Sequence, residues 1–180
     1  MLDQPWVDGS SQWGTCANRG RKGPGAMLVF SGTHINKVDR KGRVSVPAPF
    51  RTTLAKAGAA EITIFPSYHE QAIQGMGPDI LEALARGSIG TYNFYARDAA
   101  NLATHIFEVA RQIEWDAEGR IGLSEELIAH AGLGEQAAFV GKGLFFQIWS
   151  PERLAIKRAA DLAEIAANPP RLPLNLSEGT

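Results

Sequence analysis

The stretch Asn36-Lys-Val-Asp-Arg-Lys-Gly-Arg-Val-Ser-Val-Pro-Ala-Pro-Phe-Arg51 returns in shorter form as Glu114-Trp-Asp-Ala-Glu-Gly-Arg-Ile-Gly-Leu-Ser124. Asp39, Gly42 and Arg43 match Asp116, Gly119 and Arg120 at a constant offset of 77 residues. Each copy reads as strand, Asp-x-x-Gly-Arg turn, strand. Asp accepts hydrogen bonds from backbone N–H groups ahead of it, and Gly supplies the positive φ that closes a tight hairpin. The Arg after the Gly either pairs with the Asp across the turn or presents its guanidinium outward.

Working outward from the first copy, Val29 to Ile35 reads as its lead strand, and Val44 and Val46 share one face of the return strand. Pro47 and Pro49 end that strand, since proline cannot donate to a ladder. A short helix over Ala48–Ala57 with Phe50 and Leu54 inward comes next, then a strand over Glu61–Phe65 and a weaker one over Gln71–Met76. Pro78 opens a helix that Gly87 should end, with Ser88–Thr91 as loop. The spacing of Leu102, Ile106 and Phe107 predicts a helix over Phe94–Val109. The second copy repeats the order. Its lead strand is Ala110–Trp115 and its return strand Ile121–Leu123. Ser124 caps a helix with Glu125 and Glu126 in the first turn. A hairpin turns through Gly141-Lys-Gly143, and a helix opens at Ser150-Pro151 and runs to Ala167.

Length and composition fit two half-domains of about 75 residues around one core, an ordinary globular makeup. No apolar run is long enough to span a membrane. The single cysteine, Cys16, excludes an internal disulfide framework and fits a reducing cytoplasm. The net charge of −1 conceals an asymmetry. Residues 30–54 hold Lys37, Arg40, Lys41, Arg43 and Arg51 against Asp39, a net +4, whereas residues 107–131 carry a net −4. If one half touches phosphates, it is the first.

The two Asp-x-x-Gly-Arg turns, with Val140-Gly-Lys-Gly-Leu-Phe-Phe-Gln-Ile-Trp-Ser150, resemble MraZ, the bacterial regulator associated with the division and cell wall gene cluster. The resemblance spans about Val29 to Trp149. It implies an α+β fold of the AbrB group: an internally duplicated swapped-hairpin β-barrel with short helices, its halves interleaved about a pseudo-two-fold axis. The implied division is a disordered extension (1–26), a first half (27–87), a connecting helical segment (88–109), a second half (110–150), a C-terminal helix (151–167) and a disordered tail (168–180). Met27-Leu-Val-Phe looks like the family's usual start, which makes Met27 the expected initiator.

Function, on this resemblance, is sequence-specific binding of double-stranded DNA by a cytoplasmic, nucleoid-associated repressor. The family forms rings and binds direct repeats upstream of its own operon. Arg43 is the expected DNA contact, with Arg40, Lys41 and Lys37 beside it. A two-stranded ribbon fits the major groove, and an arginine fork holds two acceptors of a guanine edge. Asp39, Gly42, Asp116 and Gly119 are expected to be structural, and Arg120 mainly structural or at a subunit contact, because Ala117 and Glu118 stand where the first copy has Arg40 and Lys41.

No catalytic constellation accompanies these turns. His34, His69, His105 and His130 lie on separate segments without zinc-ligand spacing, and Cys16 has no local histidine. Gly141-Lys-Gly143 lacks phosphate-loop spacing. No cofactor, metal or enzymatic activity is therefore expected, and a hydrolase using Asp39 or Asp116 as base lacks a nucleophile. The alternative from another class is an antitoxin-like interaction module of the same fold that binds a protein instead of DNA.

Overall fold

A computed structural model describes residues 29–91 and 106–169. The expected disordered extension, most of the Phe94–Val109 helix, Cys16, His105 and nearly all of the tail lie outside them; residues 106–109 are helical. Eight strands are β1 (Thr33–Lys37), β2 (Arg43–Ser45), β3 (Glu61–Pro66), β4 (Ile73–Met76), β5 (Arg111–Glu114), β6 (Arg120–Gly122), β7 (Gln136–Gly141) and β8 (Phe145–Trp149). Among the described residues, besides the helical run 106–109, the helices are α1 (Ala48–Lys56), α2 (Pro78–Thr91), α3 (Glu125–Ala131) and α4 (Pro151–Ala167).

The fold is mixed α+β, with every strand pair antiparallel. Six strands run in the order β1-β7-β8-β4-β3-β5, and β2 pairs with β6. The two edges, β1 and β5, do not pair, so the sheet is open and the expected closed barrel is not formed. Each lead strand pairs across the duplication: β1 with β7 of the second copy, β5 with β3 of the first. One facing pair joins matching residues of the copies, Val44 with Ile121. That pair lies where a two-fold relation between the copies would place its axis.

The core follows from alternation. Ile73, Gly75, Phe146 and Ile148 point inward with Phe139, Val44, Ile121, Phe50 and Leu54. Phe146 packs over Gly75 so closely that a Cβ there would stand 2.3 Å from its ring. Ser124 and Ser150 cap α3 and α4 by accepting from the N–H groups of Leu127 (3.4 Å) and Arg153 (3.5 Å).

Two expectations shift. The β1 ladder begins at Thr33 because residues 30–32 instead bond to the Gly141–Gly143 turn, Phe30 N–H donating to the Gly143 carbonyl at 2.7 Å. Helix α2 passes through Gly87 to Thr91, so Ser88–Thr91 is not loop. One helical glycine costs about 1 kcal/mol relative to alanine, too little to end a helix that context supports.

Candidate nucleic-acid interface

Both turns close in the same way. Asp39 N–H donates to the Arg43 carbonyl (2.9 Å) and Gly42 N–H to the Asp39 carbonyl (3.0 Å); at the second turn the matching distances are 2.9 and 2.8 Å. Gly42 and Gly119 sit at φ +73° and +75°, the left-handed region that favours glycine. The turns also clasp each other. Gly42 O accepts from Leu123 N–H and Gly119 O from Val46 N–H, both at 2.9 Å, at either end of the β2–β6 ladder.

The Asp side chains organise the rest of each turn. Asp39 Oδ1 accepts from the backbone N–H groups of Lys41 (2.8 Å) and Arg43 (2.9 Å), and Oδ2 accepts from Arg43 Nε (2.8 Å). Arg43 Nη2 lies 2.8 Å from the same Oδ2. Asp116 holds Glu118 N–H, Arg120 N–H and Arg120 Nε identically. The Arg43 N–H, with the guanidinium beside it, draws the Asp39 carboxyl below its ordinary range. Arg120 does the same to Asp116, and Asp116 raises Arg120 in return.

The pairing of each Arg with its own Asp is therefore present at both turns. The Asp39 contacts use Nε–H and one hydrogen of Nη2 and fix the plane of the Arg43 guanidinium, leaving the second Nη2 hydrogen and both on Nη1 to donate to further acceptors. Arg120 is more fully engaged, its Nη2 also donating to Glu118 Oε2 at 2.9 Å. Lys37, Arg40 and Lys41 are exposed around the first turn. Lys37, Asp39 and Arg40 line one side of a recess of about 730 Å³, and Glu135 and Glu152 line the other. Those two carboxylates partly balance the patch, which the local charge window could not show.

Arg51 leaves the basic cluster. Its guanidinium lies against Gly119 of the acidic turn, within 2.5 to 2.8 Å of where a Cβ would stand, and its Nε is buried without a hydrogen-bond partner. Asn36 is a contributor that the motif did not single out: its Nδ2 donates to the Ser45 carbonyl at 2.6 Å and ties β1 to β2 behind the turn. Among the described residues no cluster of His, Cys, Asp and Glu could hold a metal ion, and no helix is long and apolar enough to cross a membrane.

Comparison with known proteins agrees with this architecture. The family model for MraZ, described as antitoxin-like, matches residues 106–162. A protein of Rickettsia rickettsii named transcriptional regulator MraZ is 39% identical over 148 residues, covering 82% of this chain and 97% of its own length. Proteins of the same name from Rickettsia canadensis (40% over 126 residues, 70% of this chain and 84% of its own) and Pelagibacter ubique (39% over 123 residues, 68% and 79%) are similarly related. With the duplicated turn and relatives about 40% identical that are matched over 79 to 97% of their own length, the chain belongs to the MraZ family.

Proposed function

We propose that this chain is a transcriptional regulator that binds double-stranded DNA sequence-specifically through its first turn. The observation that carries the reading is the Asp39-fixed Arg43 where that turn enters β2, at one end of the β2–β6 ladder, with exposed Lys37, Arg40 and Lys41 around it. Arg43 reads a base edge, and the three neighbours hold phosphates. Asp39 and Gly42 shape that turn. Asp116, Gly119 and Arg120 shape the second, which contributes structure.

A few phosphate contacts give one copy weak binding at physiological salt. Useful affinity then comes from linked copies on repeated sites, because effective concentration multiplies weak contacts. The reading is thus a homo-oligomeric ring on direct repeats upstream of its own operon, repressing the division and cell wall cluster from the cytoplasm, where it associates with the nucleoid. The halves 27–87 and 110–150 form one interleaved unit of swapped-hairpin type, supported by the crossed pairing of β1 with β7 and β5 with β3. The relatives' shared name, transcriptional regulator, supports the same role.

The test is fluorescence anisotropy with DNA from upstream of the chain's own gene and a scrambled duplex, at two salt concentrations. Tight binding to the native duplex alone, lost in a folded Arg43→Ala variant, is expected. Equal, weak, salt-sensitive binding to both duplexes would remove the reading and favour an antitoxin-like module with a protein partner, the class named in the family description.

A further inference from the structure

The recess beside the first turn holds opposite charges that do not meet. Lys37 and Arg40 stand on one wall and Glu135 and Glu152 on the other, all four exposed, around a volume of about 730 Å³. Among the described residues none of these four enters an ion pair, whereas Arg43, Arg120 and Lys157 each find a carboxylate. Both walls are nevertheless held in place. Lys37 faces Gln136 across the β1–β7 ladder, and Val38 N–H donates to the Glu135 carbonyl at 2.9 Å. These are backbone contacts, so they position the walls without using any of the charges. Glu152 lies in the first turn of α4, where Ser150 Oγ donates to its Oε2 at 2.5 Å. That hydroxyl fixes the Glu152 carboxyl and draws it below its ordinary range.

A recess of this size suits a small metabolite, and the polar groups on its walls set what such a ligand carries. Lysine and arginine only donate, and ionised carboxylates only accept. A lone anion would satisfy the two cations and face two carboxylates. A lone cation would do the reverse. A ligand with an anionic group at one end and an ammonium at the other meets both walls.

We infer that the recess binds a small dipolar ligand, its anionic group on Lys37 and Arg40 and its ammonium on Glu135 and Glu152, and that this ligand competes with DNA for the two cations. The competition rests on the DNA reading above, in which Lys37 and Arg40 hold phosphates; the binding does not. Each cation serves either the ligand or a phosphate, so ligand and DNA weaken each other's affinity by the same factor. The signal that releases DNA is then received beside the residues that hold it.

The test is isothermal titration calorimetry of the full chain with amino carboxylates of increasing span, namely glycine, γ-aminobutyrate and ε-aminocaproate, beside the single-charge analogues butyrate and butylamine. One dipolar probe should bind about fivefold more tightly than either analogue, the worth of one further exposed ion pair. The same probe should raise the apparent Kd for the upstream duplex, read by anisotropy at constant ionic strength. Glu135→Gln/Glu152→Gln should lose the dipolar preference and bind that duplex more tightly than the wild type, because two carboxylates beside the phosphates are gone. Circular dichroism checks its fold, and Glu135→Gln alone, which keeps the backbone contact to Val38, should weaken the preference if the double variant does not fold. No dipolar preference, an undiminished preference in the folded variant, or butyrate binding more tightly than every dipolar probe would each overturn the inference, the last leaving a simple anion contact. A bound probe that leaves DNA affinity unchanged, in a wild type that binds its duplex, would overturn the competition. A wild type that shows the dipolar preference yet ignores its own upstream DNA would remove the DNA reading and leave the ligand site standing.

Discussion

Arg120 donates to Glu118 Oε2 at 2.9 Å, beyond its contacts with Asp116, whereas the matching position of the first turn holds Lys41, which cannot accept such a bond. One residue thus separates a guanidinium spent on two carboxylates from one held by a single carboxylate. Glu118→Lys should release Arg120 and reverse the charge at the tip. We expect tighter DNA binding at low salt and a log–log salt slope steeper by about one ion. Anisotropy across a salt series checks this; an unchanged slope would mean that the second turn stays away from the phosphates.

The depressed Asp carboxyls set a pH dependence. Hydrogen bonds from Arg43 lower Asp39, and the Arg120 side chain and N–H lower Asp116. A carboxyl whose pKa is lower folded than unfolded adds stability above its unfolded value and loses it as pH falls through the folded one. Asp116→Asn should therefore be less stable than the wild type at neutral pH. The difference should shrink once pH drops below about 4, the ordinary carboxyl range. Urea unfolding of both proteins across that range decides it; a constant difference would mean that the side chain acts through shape alone.

The turn geometry was legible because it is local. Asp39, Gly42 and Arg43 lie within five residues, and so do Asp116, Gly119 and Arg120, so spacing fixes which atoms can meet. The caps at Ser124 and Ser150 were legible for the same reason. Pairing between distant strands was not. Alternation shows that Val44 and Val46 share one face, but it does not say that β3 pairs with β5 or β7 with β1. It also does not show that the sheet stays open between those edges. Arg51 misled because a charged residue near a basic turn reads as part of it, whereas α1 carries this one to the opposite hairpin.

That placement of Arg51 has a stability consequence. Gly119→Ala forces a left-handed residue at φ +75° and drives a Cβ into the Arg51 guanidinium, whereas Gly42→Ala at φ +73° meets Ile128 Cδ1 and the Leu123 carbonyl at 3.0 Å. The backbone term costs about 1–2 kcal/mol at either site. Only the Gly119→Ala cost should fall in an Arg51→Ala background, because only there is the obstacle an arginine. Denaturant unfolding of both double-mutant cycles measures it. Strict additivity for Gly119→Ala and Arg51→Ala would show that the guanidinium moves aside freely.

The separation of base reading from phosphate holding within the first turn can be tested by conservative exchange. Arg43→Lys keeps the charge but replaces a planar fork with a point charge, so it cannot hold two acceptors of one base. Affinity for the native upstream duplex should fall by about 1–3 kcal/mol, the worth of one bidentate base contact, while binding to scrambled DNA and the salt slope stay nearly unchanged. Lys41→Ala, at an exposed position whose backbone N–H alone is engaged by Asp39, should weaken both duplexes alike and reduce the slope by about one. Arg43→Lys weakening both duplexes equally would make Arg43 another phosphate contact and move sequence recognition elsewhere on this surface.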